Sequence, residues 1–124
     1  MATILIVDNE NEFRLRVRNV LKANGHEILE APSGRSGIAL FQGGAIDLVL
    51  TDIDMPDMNG LEMIRRMKQV STQVPIIAMT RASRFESVKK MAALLGARHV
   101  FEKPLDMPNL LTAIDQLTHQ EQPQ

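Results

Sequence analysis

Five short apolar runs punctuate the chain, at Thr3–Val7, His26–Glu30, Asp47–Thr51, Pro75–Met79 and Arg98–Phe101. Between them, apolar residues recur at helical spacing. Phe13, Val17, Val20 and Leu21 share one face, and Asn24-Gly25 supplies a C-terminal stop. Ile38 and Phe41 mark a helix after Ser33, and Leu61, Ile64 and Met67 mark another. Ser83-Arg84-Phe85-Glu86 has the pattern of a capping box, ahead of a face made by Val88, Met91, Ala92 and Leu95. Asp106-Met107-Pro108 reads as a cap with an early proline, ahead of Leu110, Ile114 and Leu117.

Strict alternation of strand and helix implies a parallel sheet covered by helices on both faces. Ile4–Val7, Leu48–Leu50 and Ile76–Met79 are continuously apolar, as strands buried on both sides must be. The second and fifth runs carry His26, Glu27, Glu30, Arg98 and His99, so they belong at the edges. The expectation is an α/β flavodoxin-like, doubly wound, five-stranded parallel sheet in the order 2-1-3-4-5, with five helices on two faces. Residues 1–118 form one domain in this reading, and 119–124 form a polar C-terminal tail.

A length of 124 residues suits one hydrophobic core and leaves no room for a second. Aromatics make up only 3%, with neither Trp nor Tyr, so the core must be aliphatic and draw on the eight Met. A net charge of -1 provides no long-range field for nucleic acid or an anionic membrane. Absence of Cys excludes disulfides, thiolate catalysis and Cys-based metal sites. The N-terminal apolar run is short and lacks a basic lead, so it does not read as a signal peptide; no apolar run reaches membrane length, and a cytoplasmic location is the expectation. His26, His99 and His119 read as surface or edge residues.

In open parallel sheets, sites form beyond the carboxyl ends of the strands. The first strand ends in Asp8-Asn9-Glu10, the third in Asp52, the fourth in Thr80 and the fifth in Lys103-Pro104. Singly, these have ordinary explanations: helix capping, a turn, a strand end, a solvated lysine. Together they place carboxylates, a hydroxyl and an ammonium on one rim. Clustered carboxylates repel one another unless a cation joins them, and hard oxygen ligands suit Mg2+. A carboxylate can attack phosphorus to give an acyl phosphate. Phosphoryl transfer needs mainly positioning and neutralisation of the phosphoryl oxygens, which Mg2+, Lys103, Thr80 and backbone N–H groups after Asp52 could share.

Leu5-Ile6-Val7-Asp8, Leu50-Thr51-Asp52 with Met55-Pro56 and Asn59-Gly60, Met79-Thr80 and Glu102-Lys103-Pro104-Leu105 closely resemble the receiver domains of two-component response regulators, the chemotaxis-regulator-like type included. The resemblance covers essentially the whole chain. It implies that Asp52 is the phosphoacceptor of an aspartyl-phosphate switch and that Thr80 and Lys103 bind the phosphoryl group. Asp8, Asn9, Asp52 and the Asp54 backbone carbonyl are the implied Mg2+ ligands, with Glu10 as a further candidate. Gly60 and a cis Pro104 are the implied structural positions. The implied partners are a histidine kinase or phosphotransfer protein, and a downstream protein that docks on the last two helices and fifth strand; no nucleic acid or membrane contact is implied. Enzyme activity is expected to be limited to self-phosphorylation from small phosphodonors and self-dephosphorylation.

Three residues depart from the family pattern. Asn9 stands where a second acid is usual, Arg81 follows Thr80 where a small residue is common, and Val100 occupies the output position where an aromatic often stands. Phe101 should point to the opposite face from Val100. Two alternatives stay open at this point: a degenerate receiver that binds partners without being phosphorylated, and a haloacid-dehalogenase-type phosphatase built on Asp52-Ile53-Asp54.

Overall fold

A strand covered on both faces has no side that meets water, and the most apolar runs of the chain accordingly lie at the centre of the sheet. The computed structural model describes residues 1–119; the rest of the expected tail, 120–124, lies outside the described residues. The elements alternate as β1 (Thr3–Val7), α1 (Asn11–Ala23), β2 (Glu27–Ala31), α2 (Gly34–Gly43), β3 (Leu48–Asp52), α3 (Gly60–Val70), β4 (Ile76–Arg81), α4 (Phe85–Leu95), β5 (His99–Lys103) and α5 (Met107–His119). A 3-10 turn, Ala82–Arg84, links β4 to α4. The sheet order is β2-β1-β3-β4-β5, and every pairing is parallel. The expected flavodoxin-like winding is therefore the observed one.

Alternation along the strands splits the core in two. Leu5, Val7, Val49 and Ala78 face a layer formed with α2, α3 and α4 through Phe41, Met63, Ile64, Met67, Val88 and Ala92. Ile4, Ile6, Leu48, Leu50, Ile77 and Met79 face α1 and α5, which contribute Val17, Leu21, Leu110, Ile114 and Leu117. Val100 packs with the first layer and Phe101 with the second, on opposite faces as expected. Fully buried aliphatics of this kind each hold about 2–5 kcal/mol against truncation to Ala.

The elements end where local chemistry stops them. Gly25 and Gly96 take positive φ after α1 and α4, and Asp106 Oδ1 accepts the Asn109 N–H at the start of α5. Several expectations need correction. The capping box lies at Ser33 and Ser36 of α2, not at Ser83 and Glu86. Ser83 is taken up by the 3-10 turn, and α4 starts at Phe85 without a side-chain cap. Met91 is 48% exposed, because α4 turns it away from the face that carries Val88 and Ala92. His26 is buried rather than at a surface: it precedes β2, and its Nδ1 accepts the Ala2 N–H at 3.2 Å. Burial holds its imidazole below the ordinary value. His119, expected in the tail, is the last residue of α5.

One glycine fixes the approach of α3 to the site. A Cβ on Gly60 would collide with the Asp52 carbonyl oxygen and come within 2.7 Å of Ile53 Cα, so backbone would have to move. Gly43, in contrast, has nothing within 4 Å of its missing Cβ. Gly60→Ala should lower stability by about 2–4 kcal/mol, whereas Gly43→Ala should be neutral or slightly stabilising. Denaturant unfolding followed by circular dichroism checks the pair; equal effects at both positions would contradict the backbone clash.

Candidate functional site

The rim at the carboxyl end of the sheet is built from four strand ends. Asp8 follows β1 and is fully buried; its Oδ1 accepts the Glu10 N–H at 2.9 Å. Arg14 on α1 donates to the Asp8 carbonyl and pairs with Glu30 on β2 at 3.0 Å, which ties the acidic loop to the sheet edge. Asp52 ends β3 and is 3% exposed. Its Oδ1 accepts the Asp54 N–H at 3.3 Å.

Lys103, at the end of β5, reaches across to both acids. Its Nζ lies 2.9 Å from Asp8 Oδ2, 3.6 Å from Asp52 Oδ1 and 3.5 Å from Glu10 Oε1. Phe13 of α1 presents its ring 4.1 Å from the same Nζ, a cation–π contact that confines the ammonium from below. The bond between Lys103 and Pro104 is cis.

Burial is the main influence on Asp52 and pushes its carboxyl up to about 6; Lys103 pulls the other way, and Asp8 adds a like charge that raises it further. Lys103 is held above its ordinary value. Burial alone would lower it, but the Asp8 hydrogen bond and the charges of Asp52, Asp8 and Glu10 outweigh that. The site is thus short of positive charge: one ammonium faces two buried acids.

Thr80 is fully buried at β4 and is not bonded to Asp52. Its Oγ1 donates to Asp54 Oδ2 at 3.0 Å, and the Arg81 N–H donates to the same oxygen at 3.2 Å. Arg84 Nη1 stands 3.1 Å from Asp54 Oδ1, and Arg81 Nε 3.7 Å from Oδ2. Asn9, Glu10, Asp52, Asp54, Arg81 and Lys103 enclose a cleft of about 190 Å³. Asn9 and Glu10 are exposed at its mouth. Among the described residues, no three His, Asp or Glu side chains converge closely enough to hold a metal ion by themselves.

The structure therefore brings Asp8, Asp52 and Lys103 together, keeps Asn9 and Glu10 at the edge, and couples Thr80 to Asp54. The Asp54 side chain, Arg84, Phe13 and Arg14 were not singled out from sequence for this site. For Phe13 a signal existed: the chain has four Phe, and this one opens the helix that follows the acidic loop. For Asp54 there was none beyond its place two residues after Asp52.

Comparison with known proteins agrees with the geometry. Residues 4–115 match the family model of the response regulator receiver domain. The chain is 36% identical over 117 residues to Protein PilH of Pseudomonas aeruginosa, covering 93% of this chain and 96% of that one. It is 34% identical over 102 residues to the autoinducer 1 sensor kinase/phosphatase LuxN of Vibrio campbellii, covering 82% of this chain but 12% of that longer protein. The crystal structure of the response regulator TrrA of Thermotoga maritima, in complex with Mg2+ and BeF, superposes with a TM-score of 0.85 at 29% identity, covering 94% of this chain and 99% of that one.

The raised Asp52 value has a consequence for stability. The folded chain keeps that proton to about pH 6, whereas an ordinary Asp releases it near 3.8. Between those values the folded state binds more protons than the unfolded state, so stability falls as pH rises through the window and stays lowered above it. A shift of two units corresponds to about 3 kcal/mol. In metal-free buffer, Asp52→Asn should be the more stable protein at pH 7.5, by about 1–3 kcal/mol, and the gap should close toward pH 4. Thermal unfolding at a series of pH values checks this, and a gap independent of pH would refute it.

Proposed function

We propose, from the premise that this chain belongs to the response regulator receiver domain family of two-component signalling, that it is a phosphoaspartate switch charged at Asp52. The observation that carries the reading is the Asp52 carboxylate, 3% exposed, opening into a cleft where Lys103 Nζ lies 3.6 Å away. A receiver is a signalling domain rather than an enzyme in the ordinary sense, and the family match leaves the phosphatase alternative without support.

In the proposed transfer, an Asp52 oxygen attacks the phosphorus of a phosphohistidine on a histidine kinase or phosphotransfer protein. The P–O bond forms as the P–N bond breaks, and the imidazole leaves with the electron pair. Little covalent chemistry is asked of the protein, so its contribution is positioning and charge. Lys103 is held by Asp8 and Phe13 within reach of the incoming oxygens. Backbone N–H groups after Asp52 and the Thr80 hydroxyl supply further donors.

Mg2+ fits the donor set. Asp8 and Asp52 are hard oxygen ligands that share one ammonium as counter-charge, and the raised Asp52 value marks a deficit that a dication would fill. Mg2+ is commonly held by one or two carboxylates plus waters, so three converging acids are not required. Asp8, Asn9, Asp52 and the Asp54 carbonyl would hold it, with Glu10 able to swing in from the cleft mouth. When bound, it neutralises charge on the phosphoryl oxygens.

The output surface in this reading is α4, β5 and α5, with Val100 at the position where an aromatic is common. Leu94 is 82% exposed and Met91 48% exposed on α4, which gives a protein partner apolar anchors there. No described helix is long and apolar enough to cross a membrane.

Two experiments test the proposal. Incubated with a small phosphodonor and excess Mg2+, the protein should gain one phosphoryl adduct by intact mass, and Asp52→Asn should gain none. No adduct on either would favour a degenerate receiver, and an adduct on the variant would move the site. Separately, Asn9→Asp should tighten Mg2+ about tenfold in calorimetric titration, because even a third of the ~4 kcal/mol between unit charges ~4 Å apart is one decade. If Asn9→Asp changes nothing while Glu10→Gln abolishes binding, Glu10 is the ligand instead.

A further inference from the structure

The carboxylate of Asp54 already holds what a phosphoryl group on Asp52 would need. Its Oδ2 accepts the Thr80 hydroxyl at 3.0 Å and the Arg81 N–H at 3.2 Å. Its Oδ1 is buried and makes no hydrogen bond, with Arg84 Nη1 3.1 Å away as a charge partner only. Asp54 and Asp52 line the same small cleft. A hydroxyl, a backbone N–H and guanidinium groups are also the donor types that stabilise a phosphoryl anion.

Thr80 has a single hydroxyl proton to donate, and two acceptors cannot both have it. We infer that the Asp54 carboxylate is a built-in competitor of the phosphoryl group: it positions the Thr80 hydroxyl in the uncharged protein and must release it when Asp52 is charged. The inference rests on the receiver reading and adds to it a residue that sets how tightly the site takes its anion.

The contact also couples the cleft to α4. Arg84 closes the 3-10 turn ahead of that helix and is the residue at its N-cap position, without a side-chain bond to the helix itself. Its guanidinium is turned back to Asp54 instead. Release of Asp54 therefore frees Thr80, the Arg81 amide and the base of α4 together. A ligand shifts such an equilibrium only by its differential affinity for the two states, and competition for shared donors provides that difference. A mere staple between two loops would behave differently. Its loss would cost stability and would leave the affinity for a phosphoryl mimic unchanged or lower.

The test uses beryllofluoride in saturating Mg2+, with binding read by fluorine NMR. Asp54→Ala should bind it about tenfold more tightly than wild type, and Asp54→Asn, which keeps an acceptor but not the charge, by less. In a Thr80→Val background the gain from Asp54→Ala should shrink, because the contested proton is gone. In the absence of mimic and metal, the Arg81 and Arg84 amide signals of Asp54→Asn should move toward their positions in mimic-bound wild type. Equal or weaker binding by Asp54→Ala overturns the inference, as does a gain kept in full without the Thr80 hydroxyl. If no variant binds beryllofluoride although Asp52 gains its phosphoryl adduct, competition is refuted and the receiver reading stands. If Asp52 also gains no adduct, the receiver reading falls with it.

Discussion

Two buried carboxylates facing one ammonium is the condition on which the rest of this rim depends. Taking an ionised acid out of water costs several kcal/mol unless a partner compensates. At the carboxyl end of this sheet the compensation is incomplete, since Lys103 bonds Asp8 at 2.9 Å and stands back from Asp52 at 3.6 Å. That arrangement requires five things of the fold at once. β1 and β3 must be adjacent, β5 must end level with them, Phe13 must confine the ammonium, Arg14 must hold the acidic loop, and Gly60 must let α3 start against the Asp52 carbonyl. The parallel sheet supplies the first two by topology, and α1 and α3 supply the rest by where they begin.

Charge on the rim is divided into two groups that meet only at the cleft. One holds Lys103, Asp8, Glu10 and Asp52; the other holds Asp54, Thr80, Arg81 and Arg84. The backbone N–H of Asp54 bonds Asp52 while its side chain faces away to β4, so a single residue joins them. An anion placed between the groups would draw on both. This is why a phosphoryl group at Asp52 would be felt at the base of α4, whereas a cation seated between Asp8 and Asp52 would act mainly within the first group.

The sheet order was legible because burial on two faces leaves a mark that one-sided amphipathicity does not: three runs without a polar residue against two with charges. The rim residues were legible because strand ends are. Boundaries were less so. β1 coincides with its apolar run, but the other four strands start one residue later and end one or two residues later, and Asp52, Arg81 and Lys103 continue the ladder despite their polarity. The burial of His26 was missed because, as the polar first residue of the second run, it was taken as the mark of an exposed edge strand, and only the fold shows that its Nδ1 accepts the Ala2 N–H. The Ser83 pattern failed for a related reason. Ser83 lies within the 3-10 turn, so the residue at the N-cap position of α4 is Arg84, whose charge partner Asp54 is 30 positions away in sequence. The direction of the Asp54 side chain has no periodic or compositional trace at all.

The face on which Val100 sits bears on how such a switch could report. Val100 packs in the layer with α2, α3 and α4, next to the helix that Arg84 begins, and Phe101 is committed to the layer with α1 and α5. A valine has no ring to swing between exposed and buried positions, and its χ1 is restricted by branching. The aromatic readout at this position is therefore closed to this chain, and Phe101 cannot replace it from the other side of the sheet. Near the site, the exposed segment Arg81–Arg84 is anchored by polar contacts: Arg81 pairs in the ladder with Lys103, and Arg81 and Arg84 both reach Asp54. If Asp52 is charged as proposed, the shortest physical route from it leads through Asp54 to α4, where Met91 and Leu94 face solvent.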